Sequence, residues 1–593
     1  MGDSTSDRRF SGPTPRQLGI AAAVVVLVAV GLFVWQAVTA ARALTDARER
    51  ADQVQDLVRA GDFDGAGKAL TDLRAKTRSA HDATDGLLWD IGRHVPFAGR
   101  TIGAVQTVSA VLDTATRDNA PVALRLSQAV KTGEFRPKGG QIDVGLVRQL
   151  TPDVRRAAGS IAKAGADLDE IEANGLTFPF NDLVGDLQEQ VESARTAATA
   201  ASTAFELLPN LLGEGTPRNY LLIVQNPAEL RSTGGLPGSL AVLHAENGRV
   251  TMGWQGSATD VNRGLSGPVV RLPKDTAQQY GPTVASDLRD ANFTPDFPEA
   301  AQIAALMVER TQHVKLDGVV SVDPLALAAM MQGTGPIGVG NGITLAPTNV
   351  VAALLNQTYQ ALDDPVAQDD FFERVAQRIF DTVMSGQGSQ ELAVKGLAAG
   401  VEQHRVLLWL RDPQLQARLT DSAIAGDLAA EEDPRPHVGM YLNDSTAAKM
   451  DYYLQYRSAV SAVDCRNDGA QDLRASVVLT STAPKDVSGL SVWVTGDGSY
   501  APKGTIAFNL RLYGPYGGEI TGLTVDGKSH SITADQHQGR QVALLPLALK
   551  PGQQVTVTAD LRTGPDQRGD GVFDFTPGIL PAPNGVKITS ACR

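Results

Sequence analysis

Cysteine is almost missing from this chain of 593 residues: only Cys465 and Cys592 occur. There is no Cys-x-x-Cys pair, no H-E-x-x-H and no G-x-S-x-G, and the eight histidines are scattered. These absences remove the usual signatures of a histidine- or cysteine-based metalloenzyme and of a serine hydrolase. Aromatic residues are sparse, at 5%. The formal charge of −13 is spread thinly, and no basic block is dense enough to track a phosphate backbone, so nucleic acid is not an expected partner. What is present, 42% hydrophobic and 20% charged residues, is the composition of a folded protein, and the length favours two to four domains. In an oxidising compartment the two cysteines would pair and tie the chain end to its own domain, two unrelated free thiols being the other reading.

One long hydrophobic run stands out. Between Arg16 and Arg42 no charge occurs, and Leu18 to Val38 is long enough to cross a bilayer as one helix. A cleaved signal peptide competes with this reading, but the run is long for that role and lacks a clear small-x-small site. The expectation is a transmembrane helix over 18–40, with 1–17 cytoplasmic because Arg8, Arg9 and Arg16 precede the span. The protein is then expected at the cell membrane as a single-pass protein, with the bulk of the chain extracytoplasmic.

The rest of the chain changes texture twice. From 43 to 208 it is alanine-rich, with apolar residues at helical spacing such as Leu57, Ala60, Phe63, Ala66, Leu70 and Leu73. Breaks at Gly61–Gly65, Val95–Phe97, Arg136–Gly140 and Phe178–Phe180 predict a helical bundle or stalk. From 216 to 450 short apolar runs (Tyr220–Val224, Leu240–His244, Gly318–Val322) alternate with helical patterns (Pro298–Thr311, Asn349–Leu362), which predicts a central α/β domain. From 451 to 593 the alternation at Ala475–Thr480, Leu490–Val494 and Gln554–Ala559 predicts a C-terminal β-sandwich. The expected fold class is therefore multidomain.

Four places bear on chemistry. Gly522–Ser529 satisfies the phosphate-loop pattern, but its Asp526-Gly527 is a hairpin turn and the residues beyond read as a strand, so no nucleotide is expected. Between two core runs, Glu229, Arg231, Thr233, Gly234 and Gly235 combine a guanidinium fork with backbone that can approach a ligand closely; a Glu–Arg pair bracing a glycine turn is the bland alternative. Asp290, Asn292 and Asp296 offer hard oxygens suited to Mg²⁺ held with a phosphorylated substrate, although Asp296 also stands where it would cap a helix. Asp260, Arg263 and Arg271 could add charge to an anion site, or be solvated loop residues.

The blocks Asn219–Asn226, Glu229–Gly235, Asp290–Pro298, Leu316–Pro324, Gly333–Pro336 and Leu442–Tyr453, in that order, resemble the domain of unknown function 4012 family of membrane-anchored bacterial envelope proteins. A weaker similarity links Arg231-Ser-Thr between two strands, Asn247–Val250, Leu316–Asp323 and Gly335–Val339 to LytR-CpsA-Psr phosphotransferases. That second resemblance implies a LytR-CpsA-Psr-like fold for the central domain, Mg²⁺ as cofactor and Arg231 as a pyrophosphate ligand. Two departures weigh against the reaction: Thr233 stands where those enzymes carry an aspartate, and no P-R-D-T element follows the next strand. Together the resemblances imply an envelope protein that binds, and in the catalytic version transfers, a glycopolymer or polyprenyl-pyrophosphate-linked saccharide during cell-wall or capsule assembly. The partners would be the membrane and that saccharide or a cell-wall polymer. The alternative is a non-catalytic envelope scaffold or binding module.

Overall fold

The computed structural model describes residues 15–60, 62–176, 180–340, 342–420, 422–428, 435–533, 535–581 and 584–592. Arg8 and Arg9, most of the 1–17 segment and the Phe178-Pro179 break lie outside the described residues. The chain divides into two compact units, Met1–Glu134 with Val147–Glu206, and Phe135–Leu146 with Leu207–Arg593.

The first unit is helical: α1 (Pro15–Ala60), α2 (Phe63–Thr84), α3 (Leu87–Gly92), α4 (Gly99–Thr114), α5 (Ala120–Thr132), α6 (Val144–Asp169) and α7 (Phe180–Leu211). Among the described residues one helix is long and apolar enough to cross a membrane, and its candidate span begins at Leu27. The expected breaks fall where backbone chemistry requires them. Asp62 caps α2 through its carboxylate and Gly65 N, and Gly133 closes α5 in the left-handed region. Burial along α1 and α2 follows a small-residue stripe, Ala40, Ala43 and Ala47 on one helix and Ala66, Ala69, Leu70 and Leu73 on the other.

The second unit is built on three large sheets and a two-stranded one, β5-β6 in the numbering that follows. In chain order its strands are β1 (Arg218–Arg231), β2 (Gly234–Glu246), β3 (Arg249–Ser257), β4 (Gly318–Val322), β5 (Ile337–Gly340), β6 (Ile343–Leu345), β7 (Leu407–Leu410), β8 (His437–Asp444), β9 (Leu454–Cys465), β10 (Gln471–Ser481), β11 (Ile506–Tyr513), β12 (Glu519–Val525), β13 (Lys528–Ser529), β14 (Asp535–His537), β15 (Arg540–Leu549), β16 (Gln554–Arg562), β17 (Gly571–Phe575) and β18 (Val586–Ile588). A mixed sheet of order β3-β2-β1-β4-β7 has β1 and β4 parallel and its other pairs antiparallel. The helix Phe297–Gln312 covers it, burying Phe297, Ala300, Ala301, Ala304, Ala305 and Val308 at three- and four-residue spacing.

Two further sheets, β13-β12-β16-β10-β9 and β14-β15-β11-β8-β17-β18, enclose one common apolar core. In β10 the period of two is complete: Leu473, Ala475, Val477 and Leu479 point inward. Cys465 at the end of β9 is bonded to Cys592, closing a separation of 127 residues. The β8 strand, on the near side of the expected boundary at 450, belongs to this second pair of sheets.

Two predicted strands are not strands: the residues beyond the Asp526-Gly527 turn leave the ladder after the two-residue β13, and 530–533 carry no regular structure. Leu490–Val494 forms a loop and a helical turn, Val492–Thr495, in which Val494 enters the core while the Trp493 indole donates to Asp363 O and Ser491 Oγ to Tyr359 O. Five residues of alternation cannot separate a strand from a turn when tertiary bonds of this kind compete.

Candidate functional site

The stretch from Gln225 to Gly238 is not an open loop between strands. It is the outer half of a long hairpin: β1 runs on to Arg231, Ser232-Thr233 makes the turn, and β2 returns from Gly234. Register shifts leave Pro227, Ala228 and Glu229 outside the ladder, with Asn226 Oδ1 accepting from Ala228 N at 3.0 Å. The glycines serve this geometry. Gly234 has φ of 138°, and a Cβ on Gly235 would lie 2.2 Å from the Asn226 carbonyl carbon. The backbone that Gly235 admits so closely is therefore the facing strand of its own hairpin.

The tip is buried, and its polar groups are answered one by one. Arg231 donates from Nε to Arg289 O at 2.9 Å, from Nη1 to Leu230 O at 2.9 Å and from Nη2 to Glu229 Oε1 at 3.2 Å, and its guanidinium lies over Phe293 at 4.9 Å. Glu229 is gripped from its other side by Lys449 Nζ at 3.0 Å, which also sits over the Tyr359 ring. Burial pushes the Glu229 carboxyl up, but the Lys449 and Arg231 charges outweigh it and hold the group below the usual range. Nearby, burial reinforced by the Glu229 charge raises Asp444 to about 6, and burial reinforced by Asp444 lifts Asp451 well above the usual carboxyl range.

The same tip fastens the mixed sheet to the paired sheets. Leu230 lies in the core of the latter at 1% exposure, and its N–H donates to Asp451 Oδ2 at 2.8 Å. Ser232 N donates to Asn443 Oδ1 at 2.9 Å, Ser232 Oγ to Phe293 O at 2.6 Å, and Thr576 Oγ1 to Ser232 O at 3.2 Å. Thr233 Oγ1 donates to Gln225 Oε1 at 3.1 Å, and Gln225 Nε2 to Ser321 Oγ on β4. A second fastening runs parallel to it: Asp323 caps the helix Pro324–Thr334 with one oxygen and holds Arg405 at 2.6 Å with the other, while Arg405 Nη2 reaches the carbonyls of Gly578 and Leu580.

Of the remaining predicted ligands, Asn292 is bonded into the hairpin tip and Asp290 lies within reach of the Arg231 charge. Asn292 Nδ2 is spent on Gln225 Oε1, Thr233 Oγ1 and Gly235 O. Asp296 stands at the N-cap of the helix Phe297–Gln312, but its carboxyl accepts from Leu428 N at 3.2 Å and Gln538 Nε2 at 3.3 Å; burial, with Glu299 beside it, raises its pKa to about 6. Burial also raises Asp290, against the opposing pull of Arg231. Among the described residues no group of three or more His, Cys, Asp or Glu is placed to hold a metal ion. Asp260 forms a capping box with Ser257 and pairs with the exposed Arg263, while Arg271 is exposed. The Asp526-Gly527 pair makes the turn between β12 and β13, with φ of 48° and 74°, as the hairpin reading of that pattern requires.

Sequence reasoning passed over the other half of this cluster. Asn443, Asp444, Lys449 and Asp451 all lie in the Leu442–Tyr453 block, which carried only a family resemblance; the signal was two acids and a lysine within eight residues that follow the apolar run Val438–Leu442. It also passed over a His437–Asp574 pair at 2.6 Å. Burial opposes ionisation of Asp574, but the His437 bond and charge prevail and hold it far below the usual range. Ser232, Thr233, His404, Tyr441 and Asp574 line a cavity of about 30 Å³. That is room for a water or two and too little for a pyrophosphate. The Ser232 hydroxyl is already engaged by Phe293 O and Asn443 Nδ2, so the arrangement offers an internal lock more readily than an activated nucleophile.

Residues 215–359 match the family described as protein of unknown function (DUF4012). No curated protein and no solved structure matches the chain. The resemblance to LytR-CpsA-Psr phosphotransferases thus finds no support in these comparisons.

Proposed function

We infer, from a chain that carries the domain of unknown function 4012 behind a membrane-spanning apolar helix, that this is a single-pass envelope protein whose large unit acts as a non-catalytic scaffold or binding module. The observation that carries the reading is the fate of Arg231. Its three kinds of guanidinium nitrogen all donate inside the protein, its face is stacked on Phe293, and its side chain is 6% exposed. A pyrophosphate ligand would have to displace Glu229 from it and leave that buried carboxylate to Lys449 alone. An extracytoplasmic position for the large unit draws support from the Cys465–Cys592 bond, because such bonds persist in oxidising compartments.

The finer reading, a glycopolymer or polyprenyl-pyrophosphate-linked saccharide as ligand with Mg²⁺ assisting, is separated from the scaffold by one experiment. The full chain and its Arg231→Ala variant are purified from a bacterial host in mild detergent, and each is followed by native mass spectrometry and thermal unfolding. The scaffold reading expects no bound polyprenyl phosphate or pyrophosphate and a large drop in melting temperature. A bound carrier that disappears in the variant while the melting temperature holds would replace the scaffold with the carrier-binding reading.

A further inference from the structure

The helical unit carries an apolar elbow for which it has no protein cover. Along α3 and the turn after it, Leu87 is 76% exposed, Ile91 60%, Val95 47% and Phe97 101%. Leu87 and Ile91 stand four residues apart on one face of α3 and begin an apolar stripe that Val95 and Phe97, in the turn beyond the helix, follow in sequence. The opposite side of the elbow is seated on α1: Trp89 is buried with its ring 4.9 Å from that of Phe33, and a Cβ at Gly92 would meet the Phe33 ring edge at 3.4 Å. Phe97 moreover has φ of 69°, a left-handed conformation unfavourable for a bulky side chain, with no protein contact around it to compensate.

The position of Phe33 says what covers the stripe. From Arg16 to Trp35, α1 rises about 28 Å at 1.5 Å per residue, close to the thickness of a hydrocarbon core. Around Phe33 the helix shows large apolar side chains outward, with Leu27, Val28, Val30, Leu32, Val34, Trp35 and Val38 all 43–71% exposed. From Ala40 onward one face of it is buried, at Ala40, Ala43 and Ala47, with Ala47 packed against Leu70 and Leu73 of α2. The change from lipid-facing to protein-facing helix therefore falls just beyond Phe33 and Trp35, aromatic residues of the kind that sit at a bilayer boundary. Through its contact with Phe33 the elbow is level with that change, and its Leu87, Ile91, Val95 and Phe97 side chains are left exposed there.

We propose that the Leu87–Phe97 elbow is a second membrane contact, lying in the headgroup–acyl boundary of the bilayer that α1 crosses, with Leu87, Ile91, Val95 and Phe97 immersed and Trp89 clamping the elbow to Phe33. The contact rests on the reading of α1 as a membrane anchor. It fixes the rotation of α1 about its own axis and sets where the first helical pair leaves the lipid.

The test uses the full chain, whose native cysteines are bonded to each other, so that one introduced cysteine takes an environment-sensitive fluorophore. Ile91→Cys, Phe97→Cys, Leu27→Cys and Arg78→Cys are each labelled and reconstituted into phosphatidylcholine vesicles containing lipids brominated near the top or the bottom of the acyl chain. The elbow labels are expected to be quenched at least twofold by shallow bromines, the Leu27 label by deeper ones, and the Arg78 label, on the exposed side of α2, by neither. Quenching at Leu27 without quenching at 91 and 97 overturns the elbow and leaves the anchor standing. Absence of quenching at Leu27 removes the anchor itself, and the elbow with it.

Discussion

Glu229–Arg231 and Asp260–Arg263 look alike as sequence: an acid two or three residues before an arginine, close to glycine and serine, next to a strand. The folded chain treats them oppositely. The first pair is 6% and 7% exposed and shares its carboxylate with Lys449; the second is 74% and 40% exposed and rests on a capping box at the start of a six-residue helix. What separates them is desolvation. A buried charge whose partner is removed remains stranded in low dielectric, whereas a surface charge returns to water. Proximity of opposite charges in the sequence therefore carries little about energy until burial is known.

Breaking the buried pair gives the largest expected effect. Arg231→Ala leaves Glu229 to Lys449 alone, frees the buried carbonyls of Arg289 and Leu230 from their donor and empties the space over Phe293, and should cost about 3–5 kcal/mol of stability of the large unit in chemical denaturation. A loss below about 1 kcal/mol would show that the tip is solvated and open to a ligand. Next comes the Cys465–Cys592 bond, which closes 127 residues; reduction, or Cys465→Ser, should remove about 2–4 kcal/mol from the paired sheets. A larger loss than for Arg231→Ala would make the disulfide, and not the hairpin tip, the main fastening of the unit.

Acid sharpens the comparison, because buried groups respond to pH with a definite sign. Burial lowers His537 to about 4, in a site where Tyr513 and Thr276 hydrogen-bond its ring. A depressed histidine contributes stability that is complete above its unfolded value near 6.5 and is lost as pH falls toward 4, worth at most about 3 kcal/mol. The melting temperature of the wild type should therefore fall further between pH 7.5 and 4.5 than that of His537→Asn; parallel curves would place His537 in contact with water. Asp444, raised to about 6, runs the other way: its contribution is present below about 4 and lost as pH rises through 6. The smallest effect belongs to the exposed pair. Arg263→Ala should change stability by less than about 0.5 kcal/mol, and a change above 1 kcal/mol would show that exposure does not separate the two pairs.

Periodicity and punctuation are local properties, and they placed the elements they govern. The apolar helix, the runs that became the inner parts of β1, β2 and β4, the helix after Pro298, the turn at Asp526-Gly527 and the alternation of β10 and β16 were all legible from a few consecutive residues. Leu490–Val494 was misread because its conformation is decided by bonds to Tyr359 and Asp363, about 130 residues away. The candidate site was half legible for the same reason. Glu229, Arg231 and the glycines announced themselves as unusual between two core strands, but the partners of Arg231 and Gly235 lie about 60 residues further on and those of Glu229 and Leu230 about 220.

By itself, then, the sequence determined an N-terminal apolar helix, a helical region, a mixed α/β region, a β-rich C-terminus and two cysteines at the limits of that last region. Only the tertiary structure decided that the arginine-glycine stretch is a buried hairpin tip plugged by Leu230 into the core of the paired sheets, and that Lys449 shares Glu229 with Arg231. The physical reason is that helices and strands are selected by interactions among near neighbours, while the state of a charge is set by how much water the distant parts of the chain take away from it.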